Sequence, residues 1–298
     1  MQTPWGECAV ADAHVHFFSR RFFESLGTQA NKSAEGLADT LGWELPPPDP
    51  GDLARRWAEE LAVEGIAKAA LIASVPGDEA SVTAAAAACP GRFLAYAMVN
   101  PLAEKAAALD GIHCLCFFPA MHGYSMHDSR VEPLLQYAAA HQRLVFVHCG
   151  VLTVGVRKKL GLPSRFDMRF SNPLDLHAIA LRYPELNFVV PHFGAGHFRE
   201  ALMLMDLCPN VYLDTSSSNS WVRYEGLELT TVFRRALEVA GPSRLLFGTD
   251  SSFFPRGWNY QIFEQQTHAL GELGVSGSDA RSILGENLLR LSNSIAMG

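Results

Sequence analysis

Eight short apolar runs recur along this chain, each separated from the next by a stretch with helical spacing. The runs are ECAVADAHVHFF from residue 7, KAALIAS (68–74), RFLAYAMVN (92–100), GIHCLCFFP (111–119), RLVFVHCG (143–150), NFVVPHFG (187–194), NVYLDTSS (210–217) and SRLLFGTD (243–250). Each has the length and the unbroken hydrophobicity of a parallel strand buried on both faces. Between them, Leu53, Trp57, Leu61 and Ala62 share one helix face, as do Leu229, Val232, Phe233, Ala236, Leu237 and Ala240. Asn172-Pro173 reads as an N-cap with proline at the first helical position, and Gly91, Gly111 and Gly241 punctuate element ends. Eight strands alternating with helices within 298 residues predict a (β/α)8 barrel, with the whole chain, 1–298, as one domain. An open doubly wound sheet would need phosphate-binding glycines after the first strand, and the sequence has none there.

Residues 19–52 interrupt this rhythm and end in the proline-rich LPPPDP. An insertion that long after the first strand is expected to be a lid, an ordered subdomain or a plain surface loop. The final SDARSILGENLLRLSN predicts two short helices closing the barrel.

Composition narrows the function classes. A net charge of −7 argues against nucleic-acid binding, and no apolar run reaches the length of a membrane span. The N-terminal segment lacks the basic start and apolar stretch of a secretory signal. Six scattered cysteines, several within strand runs, fit free thiols in a reducing compartment, so a cytoplasmic location is expected.

Barrel enzymes carry their chemistry at the C-terminal strand ends. His14 and His16 lie there on the first strand and share a face by alternation. His148 ends the fifth strand, His192 the sixth and Asp250 the eighth. Four imidazoles and a carboxylate converging on one rim predict a site for a divalent metal, zinc first, with manganese, iron or cobalt as alternatives.

This His14-x-His16, His148, His192, Asp250 order resembles the metal-site pattern of the amidohydrolase superfamily. DAHVHFF, GYSMHDSRVEPLLQYA, SNPLDLHAIALRYPELNFVVPHFG, RLLFGTDSSFF and ILGENLLRL are similar to its branch of aminocarboxymuconate-semialdehyde decarboxylase-like proteins, and the resemblance spans residues 8 to 293. It implies a distorted barrel of the same type. It further implies that His14, His16, His148 and Asp250 hold one metal. Asp250 would carry a proton from water to a leaving group, and His192 would be a ligand or polarise a substrate carbonyl. The chain departs from the pattern at the fourth strand, where Cys116 stands in place of a carboxylated lysine bridging two metals. Cys116 reads as a core residue or a thiolate ligand, and His113 falls on the opposite face.

Around the rim, Arg20, Arg21, Arg157, Arg165, Arg169 and Arg256 suggest recognition of a small carboxylated substrate. Phe17, Phe18, Phe253, Phe254 and Trp258 are candidates for an apolar wall, and His122 and Tyr124 for further contacts. His197 is expected in the first turn of the helix after the sixth strand. Of all these, Arg20, Tyr124, Arg169, Arg256 and Trp258 are the residues expected to bind substrate. The expected reaction is metal-dependent hydrolysis of an amide or lactone bond. Non-oxidative decarboxylation of an aromatic or unsaturated acid is the alternative, and a non-catalytic binding barrel the third reading. The resemblance also implies a homodimer or larger homo-oligomer.

Overall fold

A computed structural model describes residues 1–104, 107–152, 154–164, 166–216 and 220–295. Eight parallel strands form one sheet: β1 (Val10–Phe17), β2 (Ile66–Ala73), β3 (Phe93–Val99), β4 (Cys114–Phe117), β5 (Leu144–Val147), β6 (Phe188–Val190), β7 (Val211–Asp214) and β8 (Leu245–Leu246). Seven lie within the apolar runs and β2 begins two residues before its run, at Ile66, and neighbours in the chain are neighbours in the sheet. The ends meet through a parallel bridge between Val15 and Ser251. Ala13 N donates to Phe247 O (2.8 Å), Asp250 N to His14 O (2.9 Å) and His16 N to Ser251 O (2.7 Å). These bonds close the barrel along a β1–β8 seam.

Alternation along the strands sorts the core into two layers. Leu71, Ala97, Leu115, Val145 and Leu213 face outward and pack with helix residues such as Trp57, Leu61 and Phe233. Ile72, Tyr96, Cys114, Cys116, Phe146 and Leu246 fill the barrel interior. Leu288 and Leu291, on the helix Asn287–Ser294, belong to the interior cluster and plug one end of the barrel. Gly285, in the preceding turn, lies so close to β1 that a Cβ there would stand 1.9 Å from Ala9 O.

The two periodic helices form as Pro50–Val63 and Leu229–Ala240, although Ala62 is exposed because its position falls just outside the buried stripe. Asn172 does cap a turn, accepting from Leu174 N at 2.9 Å. That turn is 3-10 over Pro173–Leu176 before the α-helix His177–Arg182 begins. The insertion is ordered into helices Arg20–Gln29 and Ala34–Leu41. Ser19 and Ser33 cap them, and Gly42 ends the second in a left-handed conformation. Phe22, Phe23, Leu26 and Leu37 form a satellite core with Val156 from the loop after β5. No helix among the described residues is long and apolar enough to cross a membrane.

Candidate active site

β1 reaches the rim through a bulge. Asp12 pairs with Ala69 and Val15 with Leu71, so three residues of β1 span two of β2. The extra residue changes the parity of the strand. Ala11 and Ala13 face the interior before it, and Val15 and Phe17 face outward after it, leaving His14 and His16 to the inside. Asp12 is thereby turned out into the seam and is wholly buried. It accepts from His14 N (2.9 Å), Thr249 N (3.1 Å), Thr249 Oγ1 (2.5 Å) and Trp258 Nε1 (2.8 Å). Burial pushes its carboxyl up to about 6 against these donors.

His14 Nε2 lies 3.4 Å from His16 Nε2, and Asp250 Oδ1 lies 3.2 Å from His16 Nε2 and 3.7 Å from His14 Nε2. Ligands 2.0–2.1 Å from a tetrahedral cation are about 3.3 Å apart, so these three atoms have the spacing of ligands around one zinc-sized ion. They are the group among the described residues that could hold a metal. Their other ring nitrogens are engaged. His14 Nδ1 donates to Asp214 Oδ2 (2.6 Å), and His16 Nδ1 meets Ser74 Oγ (2.8 Å). Ser74 Oγ in turn donates to Ile72 O (3.1 Å), so it accepts from the imidazole. Outer partners of this kind fix the tautomer and direct each Nε2 lone pair at the cation.

The remaining two histidines stand beside this group. His192 is 4.9 Å from His14 and 5.3 Å from His148, centroid to centroid. His148 is buried, stacks on Phe118 and leaves Nδ1 without a hydrogen-bond partner among the described residues. Burial, then the neighbouring imidazoles, hold His148 well below and His192 below the ordinary histidine range. For His14, burial works downward too, but Asp214, joined by Asp250 and Asp12, outweighs it and the net shift is upward. Burial pushes Asp250 up, while the His16 hydrogen bond and the charges of His16, His14 and His192 prevail and hold it below the usual carboxylate range. Asp250 and His192 both adopt positive φ, 60° and 56°, a conformation non-glycine residues take at a cost and mostly where a site demands it.

These groups open into a cavity of about 370 Å³. Phe18, Trp43, Phe118, Trp221 and Phe253 give it aromatic walls, and Trp43 stacks on Phe253 at 4.2 Å, joining the insertion to the loop after β8. Arg256 and Lys159 are its cationic lining. Arg256 donates to Asp250 O (3.2 Å) and Ser252 Oγ (2.9 Å).

Four of the five residues expected to bind substrate do not line this cavity among the described residues. Trp258 is buried in the helix layer with its indole N–H committed to Asp12. Arg20 is held by Glu35 and Glu24 within the insertion, and Arg169 pairs with Asp167 in solvent. Tyr124 is buried beside His122, away from the lining. Arg157 bonds Gln29 and Pro163 O, Phe17 and Phe254 are core, and His197 lies near Ser171 and Glu200. Arg21 lies beside Gly77, and Arg165 is outside the described residues. Cys116 is fully buried in the barrel interior and is not part of the cavity lining or the metal-competent group. His113 faces away, accepting from Ala95 N through Nδ1 at 3.1 Å.

Sequence reasoning passed over Asp12, Ser74, Asp214, Ser216, Lys159 and Trp43. Asp214 carried a usable signal, since it ends strand β7 as Asp250 follows β8. Lys159 lies in a polar Arg-Lys-Lys run that reads as solvated surface.

The fold and the site together define a family. A model of the amidohydrolase family matches residues 11–291, and the chain belongs to that family: it is an enzyme of the amidohydrolase superfamily. Among curated proteins it is 39% identical over 85 residues to the protein fluG of Emericella nidulans, a match covering 28% of this chain and 10% of that much longer relative. Among solved structures it is similar to a 5-carboxyvanillate decarboxylase from Sphingomonas paucimobilis (TM-score 0.62, 14% identity, 96% of this chain and 99% of that one). It is likewise similar to an amidohydrolase from Burkholderia multivorans with bound zinc (TM-score 0.59, 16% identity, 96% and 99%).

Proposed function

We propose that the chain, acting as one catalytic unit over 1–298, hydrolyses a C–N or C–O bond of a small carboxylated substrate with the help of one divalent cation, zinc first. The observation that carries this reading is the mutual spacing of His14 Nε2, His16 Nε2 and Asp250 Oδ1, 3.2 to 3.7 Å. These three residues would hold the cation, with His148 completing the set. A cation bound there supplies Lewis acidity that polarises a carbonyl and lowers the proton affinity of water.

The protein groups account for the protons. Asp250, ionised at neutral pH, accepts the proton that water loses and returns it to the leaving nitrogen or oxygen. His192 donates Nδ1–H to Ser216 O at 3.0 Å, so its neutral ring turns an unprotonated Nε2 to the site as a second proton acceptor. Arg256 and Lys159 recognise the substrate carboxylate, and the aromatic walls exclude water from an unsaturated or ring portion.

A second reading, non-oxidative decarboxylation, is supported by the stacked Phe18, Trp43 and Phe253 surfaces, which suit a planar ring acid, and by Cys116 in place of a bridging lysine. One experiment separates the two. A panel of aromatic, lactone and amide carboxylates is incubated with zinc-loaded enzyme in 18O-water and, in parallel, in deuterium oxide. Hydrolysis puts solvent oxygen into the product. Decarboxylation releases carbon dioxide and puts solvent deuterium on carbon. Asp250→Asn is expected to fold and to lose at least about a hundredfold in turnover. Turnover within about tenfold of wild type would remove Asp250 from the mechanism.

A further inference from the structure

One hydroxyl lies between two histidines of the site. Ser216 Oγ is 3.0 Å from His14 Nδ1 and 2.9 Å from His192 Nδ1. Ser216 follows β7 by two residues and is fully buried. Its own backbone N–H donates to Asp214 Oδ1 at 2.6 Å, while Asp214 Oδ2 takes the His14 proton at 2.6 Å. Asp214 and Ser216 are thus one rigid unit, tied together by the bond from Ser216 N.

The proton assignment is decided by groups that cannot donate. An ionised carboxylate only accepts, so His14 carries its hydrogen on Nδ1. A backbone carbonyl only accepts, so His192, 3.0 Å from Ser216 O, carries its hydrogen on Nδ1 as well. Ser216 Oγ has two lone pairs and is the second acceptor of both N–H groups, each of which it shares, with Asp214 Oδ2 at His14 and with Ser216 O at His192. The crowding around it leaves no room for a shift. A Cβ on Gly248 would stand 2.7 Å from Asp214 Oδ1, 2.8 Å from Ser216 Cβ and 3.0 Å from His14 Cβ.

We infer that Ser216 is a shared positioning residue: its hydroxyl accepts from His14 and His192 together, holding both rings with Nε2 unprotonated and turned to the reaction site. The inference rests on the metal-site reading for His14, but it concerns how the two rings are coupled. Loss of the hydroxyl loosens the metal ligand and the proton acceptor in one step, whereas loss of Ser74 touches His16 alone.

The test compares Ser216→Ala with wild type, both zinc-loaded, and uses readouts independent of turnover. Zinc affinity is measured by competition with a chelating dye. Imidazole 15N–1H spectra of histidine-labelled protein report the two Nδ1–H groups, assigned by their loss in His14→Gln and His192→Gln. Ser216→Ala is expected to weaken zinc about tenfold and to move both Nδ1–H signals. Asp214→Asn, which keeps the volume, is expected to weaken zinc while moving the His14 signal more than the His192 signal. Ser74→Ala, as control, moves neither of those two signals. The inference is overturned if Ser216→Ala leaves zinc affinity and both signals unchanged, or moves only one ring. Should wild type bind no zinc, the metal reading fails, while the paired movement of the two signals still decides the role of Ser216. Matching far-UV circular dichroism of each variant separates these effects from unfolding.

Discussion

Trp258→Phe tests whether this indole belongs to the substrate wall or to the seam of the barrel. In the structure Trp258 is 4% exposed, lies in the helix layer near Phe247 and Phe263, and its indole N–H donates to Asp12 Oδ2 at 2.8 Å. Removing a donor from a buried carboxylate costs about 2 kcal/mol, and the space left by the smaller ring about 1 kcal/mol more. At about 2.1 cal/mol/K per residue, a 298-residue chain has an unfolding entropy near 0.6 kcal/mol/K, so a loss of about 3 kcal/mol lowers Tm by about 5 °C. Thermal unfolding followed by circular dichroism gives the shift. KM for whichever carboxylate the enzyme turns over is expected to stay within about twofold, because the ring does not touch the cavity. An unchanged Tm together with a tenfold rise in KM would refute the seam assignment and return Trp258 to the substrate.

Gly248→Ala places a methyl against Asp214, Ser216 and His14, and it is expected to cost about 1–3 kcal/mol of stability and to weaken zinc, measured by denaturant melts and chelator competition. Cys116→Ser is expected to leave zinc stoichiometry unchanged by elemental analysis, since the thiol lies in the barrel interior away from the His14–His16–Asp250 group. Stability is expected to fall as pH drops from about 6.5 towards 4. His113 and His122 are both pushed down to about 4 by burial, so the unfolded chain takes up their protons first across that window. Asp12, raised to about 6, works in the opposite sense below pH 6 and offsets part of the loss. Urea midpoints at pH 7 and pH 5 measure the net slope, and His113→Gln is expected to flatten it.

The barrel was legible because its strands are buried on both faces, which leaves uninterrupted apolar runs with polar side chains appearing only at the rim. The placement of His14, His16 and Asp250 followed from the same pattern. The bulge in β1 was not legible: DAHVH alternates as a regular strand would, and only the pairing with β2 shows that Asp12 and His14 face different ways. The partners of the arginines were not legible for a different reason. Arg169 and Arg20 are satisfied by acidic residues of their own loops, Asp167 two positions away and Glu35 across a helical hairpin, and local pairing of that kind leaves no mark in composition. Ser216 was hidden in a run of small polar residues in which nothing distinguishes one hydroxyl from the next.

The seam between β1 and β8 also sets when the site can exist. Asp12 and Thr249, bonded across it, are 237 residues apart in the chain, and His14 meets Asp250 at the same junction. On a ribosome the first strand emerges with its two imidazoles long before the carboxylate that faces them has been made. Throughout that interval the nascent chain displays the two histidines without Asp250, so the group proposed to hold a cation is complete only at the last stage of synthesis. Truncated products ending before β8 would then lack both the closed barrel and the complete set of proposed ligands, so on the proposed metal reading cation retention reports a chain in which β1 and β8 have met.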